Sequence, residues 1–292
     1  MKSQISYKDK FCLVSGGSSG MGKAVVQMLL EHGAKVWVLD FKPTEDPVDK
    51  YINFNLNDRE SIDKAVSEIP QGVDCLFHTA GVPGVTVDEN YKYSGIKFDV
   101  MDVVRINYVG ARYFIESIIP KIKDGGAICA VSSIGAMMWR HHIDDFKEFI
   151  EINDWDEALK YLETRLDDPL WLKTVNRNNR PYNFTKECLN MYACRRAWSL
   201  AERKIRFNTI CPGATKTPMH GYFRVGAGKS FDSPMPTSPC GFESKPEHQA
   251  AAMLFLNSDM AGYISGVTLE VDFALSYSVV YYGAAGAPGQ KK

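Results

Sequence analysis

Tyr182-Asn183-Phe184-Thr185-Lys186 places a tyrosine one helical turn before a lysine. That spacing sets a phenol beside an ammonium on one helix face. A nearby positive charge favours phenolate and would lower the phenol from about 10 toward the working range of an acid/base catalyst. The second chemical element is Ser15-Gly16-Gly17-Ser18-Ser19-Gly20-Met21-Gly22, which follows the apolar run 11–14. Such a turn lets backbone N–H groups and a helix N-terminus approach a dinucleotide pyrophosphate. Together the two elements point to hydride transfer to or from a carbonyl. Asp40 ends the next strand-like run, where an acidic side chain can accept bonds from the adenosine ribose hydroxyls and repel a 2′-phosphate. Phe41 beside it is not basic, and neither Ser18 nor Ser19 supplies a cation. Lys42 is the one dissenting residue. NAD is expected over NADP.

The elements that must position these residues alternate along the chain. Strands are predicted at 11–15, 35–40, 51–55, 74–79, 127–131, 206–210 and 267–271. Helices are predicted at 21–32, 58–68 (capped by Asn57 or Asp58), 98–121 and 246–257. Runs such as Val36-Trp37-Val38-Leu39 suit strands buried on both faces. The fold class is therefore α/β, a doubly wound parallel sheet of Rossmann type in a single domain over 1–292. The tail 283–292 reads as mobile.

Composition agrees with a water-soluble enzyme. The chain has 292 residues and a formal net charge of -1, and its basic residues are scattered. No nucleic-acid partner is expected. No apolar run spans a bilayer, the first residues lack the apolar core of a signal peptide, and the seven cysteines form no C-x-x-C pair. The expected compartment is the cytoplasm. His141-His142 with Asp144-Asp145 lacks the i, i+4 spacing of a helical zinc site and reads as a solvated loop, so no metal is expected.

Through nearly its whole length the chain resembles the short-chain dehydrogenase/reductase family. The family's T-G-x-x-x-G-x-G matches residues 15–22 with Ser15 for Thr. Its N-N-A-G matches His78-Thr79-Ala80-Gly81 in the Ala-Gly half alone. Its P-G-x-x-x-T matches Pro212-Gly213-Ala214-Thr215-Lys216-Thr217. The resemblance implies Asn107, Ser133, Tyr182 and Lys186 as the catalytic set. Tyr182 would exchange the proton, Lys186 would lower its pKa and bind the nicotinamide ribose, Ser133 would hold the substrate oxygen, and Asn107 would hold a water. Ser132 is the alternative hydroxyl, and Asn107 also reads as a helix kink or a buried amide. The implied cofactor shell is Gly16, Ser18, Ser19, Gly20, Met21, Gly22, Asp40, Phe41, Asn55, Leu56, Ala80, Gly81, Tyr182, Lys186, Pro212, Gly213, Thr215 and Thr217.

Two departures stand out. Where the family runs into V-D-G-G, this chain has Val271-Asp272-Phe273-Ala274. The stretch between Ser133 and Tyr182 is longer than usual, with a helical insertion at about 138–180 that includes a helix-like run at 154–165. That insertion is similar to the bacterial 3α-hydroxysteroid dehydrogenase/carbonyl reductase branch of the family. A substrate lid is expected at about 218–245, with Met219, Tyr222 and Phe223 facing a flat apolar ring system and Val82 and Val85 supplying other walls. The Met137-Met138-Trp139 cluster reads either as core or as substrate wall. The expected partner is an apolar alcohol or ketone, with a hydroxysteroid or bile acid first. A smaller terpene alcohol or polyol, or a non-catalytic dinucleotide sensor, are the other readings. A homo-oligomer, dimer or tetramer, is expected.

Overall fold

The structure, a computed structural model, describes residues 5–84, 86–87, 93–95, 98–165, 181–226 and 240–282. Seven strands form one sheet: β1 (Phe11–Ser15), β2 (Lys35–Asp40), β3 (Lys50–Asn53), β4 (Val73–His78), β7 (Ile122–Val131), β8 (Arg206–Pro212) and β9 (Thr268–Val271). Their order is β3-β2-β1-β4-β7-β8-β9, and every pairing is parallel. Two short strands, β5 (Thr86–Val87) and β6 (Tyr93–Gly95), make a separate antiparallel pair. The sheet reverses its winding between β1 and β4, which opens a crevice at their carboxyl ends.

Strand residues alternate between two cores because successive side chains point to opposite faces. Phe11 and Leu13 join one apolar cluster, whereas Cys12 and Val14 join the other. Both faces are covered, which is why β1 reads as an unbroken apolar run. Helices α1 (Gly20–Glu31) and α9 (Pro246–Asn257) cover one face with Val25, Val26, Leu29, Met253 and Leu254. The opposite face is covered by α2 (Arg59–Ser67), α4 (Ala111–Ile118) and α7 (Pro181–Ser199). Asp58, not Asn57, caps α2 by accepting a bond from Glu60 N at 3.0 Å.

The helix expected over 98–121 is broken. It runs as α3 (Val100–Val104), a wide π turn over Arg105–Gly110, α4, and a 3₁₀ turn over Ile119–Lys121. Gly110 in that turn is pressed against the backbone, since a Cβ there would stand 2.1 Å from the Leu56 carbonyl oxygen.

Over its described part, 138–165, the inserted segment contributes to the core. Helices α5 (Ile143–Glu151) and α6 (Trp155–Arg165) bury Phe146, Phe149, Ile150, Trp155 and Leu162. Phe149 stacks with Phe184 at 5.8 Å and with Tyr161 at 5.7 Å, and meets Tyr108 at 5.2 Å. His142 is likewise not solvated. It is buried and bonds Glu187 at 2.5 Å, tying the segment to the residue after Lys186. The rest of the insertion, including Trp171, lies outside the described residues, as do Val85, lid residues 227–239 and the tail.

Helix α8 (Pro218–Gly226) begins the lid stretch, and α10 (Leu275–Tyr282) follows β9. Among the described residues no helix is long and apolar enough to cross a membrane, and no cluster of metal-binding side chains occurs.

Candidate active site

The ends of β1, β4, β7 and β8 bring the motifs into one crevice. After β1 the chain turns through Gly16 at φ +77°, and a Cβ there would lie 2.6 Å from Ala80 N. Gly22 is tighter still, because its Cβ would reach 2.1 Å from the Gly16 carbonyl oxygen. Only glycine permits this close approach of turn, helix and β4 loop. A Cβ on Gly20 would meet the Thr217 side chain at 3.5 Å, so the P-G-x-x-x-T stretch borders the start of α1. Ser19, at the N-cap of α1, makes no side-chain cap bond, and the first turn carries no acidic residue. The leading N–H groups therefore keep their capacity for an anion.

Asp40 ends β2 beside this turn. Ser18 N donates to Asp40 Oδ2 at 3.0 Å and Lys42 N donates to Oδ1 at 3.2 Å, while the Ser18 hydroxyl is turned to the Lys42 carbonyl at 2.7 Å. The carboxylate is thus held in place with lone pairs to spare. Phe41 is exposed, and Lys42 Nζ lies over its ring at 5.4 Å from the centroid. Leu56 packs in the core, and Asn55 Oδ1 accepts from Asn57 N at 3.0 Å. Their side chains serve the local fold.

Lys186 is buried one turn after Tyr182 on α7. Its Nζ lies 5.5 Å from the Tyr182 ring centroid and donates to the Val131 carbonyl at 2.8 Å. Burial pulls its pKa down to about 8. A Cβ on Gly81 would stand 3.1 Å from Asn107 Oδ1 and 3.6 Å from Lys186 Nζ, so these three positions converge. Asn107 sits in the π turn, accepts from Val82 N at 2.8 Å and donates to the Val82 carbonyl at 2.9 Å. It is a buried amide at a helix kink, both at once, and it fixes the loop after β4.

Burial also dominates at Tyr182. Desolvation pushes its phenol up to about 12, and a hydrogen bond with Ser133 pulls the other way. The net direction is upward, so the loss of water at the phenol outweighs the lowering expected from Lys186, whose ammonium is bonded to the Val131 carbonyl. Ser133 Oγ accepts from Gly135 N at 3.0 Å, whereas Ser132 Oγ donates to the Lys186 carbonyl at 3.0 Å. Ser132 ties α7 to β7, and Ser133 is the hydroxyl at the phenol.

These two hydroxyls open on a cavity of about 290 Å³. Met21, Ile134, Met137, Met219, Phe223 and Leu275 supply its apolar walls, and Pro212, Gly213, Thr215 and Thr217 line it on the β8 side. Phe223 meets the Tyr182 ring at 4.9 Å with an interplanar angle of 65°.

Comparison with known proteins extends this geometry. The family description "short chain dehydrogenase" matches residues 10–144, and "Enoyl-(Acyl carrier protein) reductase" matches residues 172–275. The chain belongs to the short-chain dehydrogenase/reductase family of oxidoreductases. Within the family it is 27% identical to a coniferyl-alcohol dehydrogenase of a Pseudomonas species, over 93% of this chain and 98% of that protein. It is 25% identical to the 3-alpha-hydroxysteroid dehydrogenase/carbonyl reductase of Comamonas testosteroni, over 89% and 94%. A Pseudomonas 3-alpha-hydroxysteroid dehydrogenase solved with NADH shares the fold at a TM-score of 0.68 and 22% identity, covering 90% of this chain and 96% of that one.

Set against the family motifs, two substitutions are matched by their surroundings. Ser15 replaces Thr and His78 replaces Asn, and the two side chains bond each other at 2.7 Å. Burial, then Lys186, lowers the His78 pKa to about 3 and keeps the ring neutral. Phe273 and Ala274 stand where the family has glycines and still adopt φ +53° and +66°.

The cavity also differs in detail from the expected one. Met137 is a wall, Met138 is exposed, and Trp139 is core. Tyr222 is not among the lining residues, although its neighbours Met219 and Phe223 are. His220 and Leu275 were missed. His220 had a signal, as an imidazole beside the apolar Met219 at the start of the lid stretch; Leu275 had none, since it arrives from a helix after the last strand.

Proposed function

We propose that the chain is an NAD(H)-dependent dehydrogenase/reductase that interconverts an apolar, ring-bearing secondary alcohol and its ketone, with hydroxysteroids or bile acids as the first substrate class. The observation that carries this reading is the meeting of Ser133 and Tyr182 in the wall of a mostly apolar cavity. A polyol there would meet more apolar wall than hydrogen-bonding groups, and hydroxyls buried without partners are costly.

A dinucleotide fits the residues present. The glycine cradle 16–22 with the uncapped start of α1 would take the pyrophosphate, and Asp40 the adenosine ribose. Lys186, and the loop Pro212–Thr217, would hold the nicotinamide half. When bound, the nicotinamide supplies the hydride acceptor or donor.

This chain's own residues then handle the proton and the oxygen. Tyr182 Oη takes the alcohol proton in oxidation or gives it in reduction. Ser133 Oγ holds the substrate oxygen and stabilises the charge that develops on it. The Lys186 ammonium, held by Val131, and a cationic nicotinamide would together bring the phenol down from about 12, the value that burial, partly offset by Ser133, imposes. Asn107 shapes the loop at Gly81 beside Lys186 and would seat a water there. The carboxylate of Asp40 with non-basic Phe41 favours NAD over NADP.

A second reading keeps the chemistry and shrinks the substrate. The 27% identity to a protein named coniferyl-alcohol dehydrogenase favours an aromatic alcohol. A homo-oligomer is part of the proposal, as the aromatic residues Tyr277, Tyr281 and Tyr282 are exposed along α10. The test is absorbance of reduced nicotinamide with NAD or NADP against steroids, bile acids, aryl-propenols, terpenols and sugars. NAD with a ring-bearing apolar alcohol should give the highest kcat/KM. A sugar giving the highest value would overturn the substrate class.

A further inference from the structure

His220 forms part of the cavity wall on α8, and it is 5% exposed. Arg224, one turn later, donates from Nη2 to His220 Nδ1 at 3.2 Å and is itself anchored on Glu243 at 2.9 Å. A guanidinium has no acceptor, so Nδ1 must accept this bond. The proton of the neutral ring therefore sits on Nε2. Burial, reinforced by Arg224 and opposed by Glu243, holds the ring below the usual histidine pKa and keeps it neutral. Nε2 is buried and has no hydrogen-bond partner among the described residues. Buried N–H groups are normally satisfied, and one left unpaired beside a ligand cavity marks the place where a ligand acceptor belongs.

We infer that His220 Nε2–H is a specificity-determining donor that selects substrates carrying a second oxygen acceptor away from the reacting carbon. The Glu243–Arg224 pair sets its tautomer, so the donor is fixed before the substrate arrives. A site built to bond a substrate oxygen discriminates against the analogue that lacks it, because the protein group is then left unpaired. The inference rests on the dehydrogenase reading for its substrate but not for the state of the ring.

The test uses two matched pairs: androsterone against 3α-androstanol, and coniferyl against cinnamyl alcohol. In each, the first member alone carries distal oxygen. The unaltered enzyme should prefer the oxygenated member, and His220→Phe should lower that preference in kcat/KM by about three- to tenfold. His220→Gln, which keeps a donor, should restore part of it. Long-range ¹⁵N–¹H spectra of ring-labelled protein should show His220 as the Nε2–H tautomer, with an Nε2 shift when androsterone or coniferyl alcohol is added with NAD. Turnover with an unchanged preference in His220→Phe overturns the inference and leaves the dehydrogenase reading standing. No turnover on any pair, together with the Nε2 shift, overturns the reading and supports the donor. An Nδ1–H tautomer, or no shift and no turnover, overturns the inference.

Discussion

The Lys186 ammonium lies 5.5 Å from the centre of the Tyr182 ring and is bonded to the Val131 carbonyl at 2.8 Å. The helix spacing brings the two side chains together, and the end of β7 decides where the ammonium is held. Both groups lose solvent, and burial moves them in directions that keep each uncharged: the lysine down to about 8 and the tyrosine up to about 12. A buried cation with no carboxylate partner costs stability. Lys186→Met should therefore raise stability at pH 7 by on the order of 2 kcal/mol while removing activity. Urea unfolding and turnover on the same variant check both halves. In the unaltered chain the unfolded state holds more lysine protons than the native state between pH 8 and 10.5, so this group makes stability rise with pH across that window.

His78 carries the same kind of liability at lower pH. Its folded pKa of about 3 lies below the ordinary 6.5, so between those values the unfolded state binds more protons. Its contribution to stability is present above pH 6.5 and is lost as the pH falls toward 3, by on the order of 4 kcal/mol. His78→Asn should flatten that acid limb in unfolding curves measured from pH 7 to 4. An unchanged limb would place the acid sensitivity elsewhere.

Asp40→Ala combined with Phe41→Arg should shift cofactor preference toward NADP by removing a repelling carboxylate and adding a phosphate partner. The ratio of kcat/KM for the two cofactors measures it. Because Asp40 also accepts from Ser18 N, the variant should lose some NAD affinity as well.

Phe223→Ala should raise KM for a ring-bearing alcohol about tenfold, since Phe223 both walls the cavity and packs on the Tyr182 ring. Tyr222→Ala should have a smaller effect, because Tyr222 does not line the cavity. Equal effects on KM would mean that the lid closes differently around substrate.

Ala274→Gly should stabilise the chain by roughly 0.5–1 kcal/mol. Ala274 adopts φ +66°, a conformation that glycine takes without a steric penalty. Thermal unfolding of the single variant is sufficient.

Features of the site that depend on local spacing were legible in the sequence. The Y-x-x-x-K pair, the glycine turn after an apolar run, and an acidic residue at the next strand end all sit where they were expected. Strand positions were legible for the same reason, because a sheet covered on both faces demands unbroken apolar runs. What depends on tertiary packing was not. The π turn at Arg105–Gly110 goes with the close approach of Gly110 to the Leu56 carbonyl, a contact between distant segments. Polar-looking His142 is buried because Glu187 meets it from another helix. The stretch His141-His142 with Asp144-Asp145 read as a solvated loop, yet Phe146 and Phe149 just after it are buried in the core. The Tyr182 phenol illustrates the limit for electrostatics: sequence spacing announces the ammonium but not the desolvation that outweighs it.

The central claim is that Tyr182 moves the proton while the nicotinamide moves the hydride. The most direct measurement compares turnover and NAD affinity in Tyr182→Phe, with the best alcohol from the substrate panel. Turnover should fall by about two orders of magnitude or more, with NAD bound as tightly as by the unaltered enzyme, because only the proton-transfer group is lost. Near-normal turnover in this variant would contradict the account.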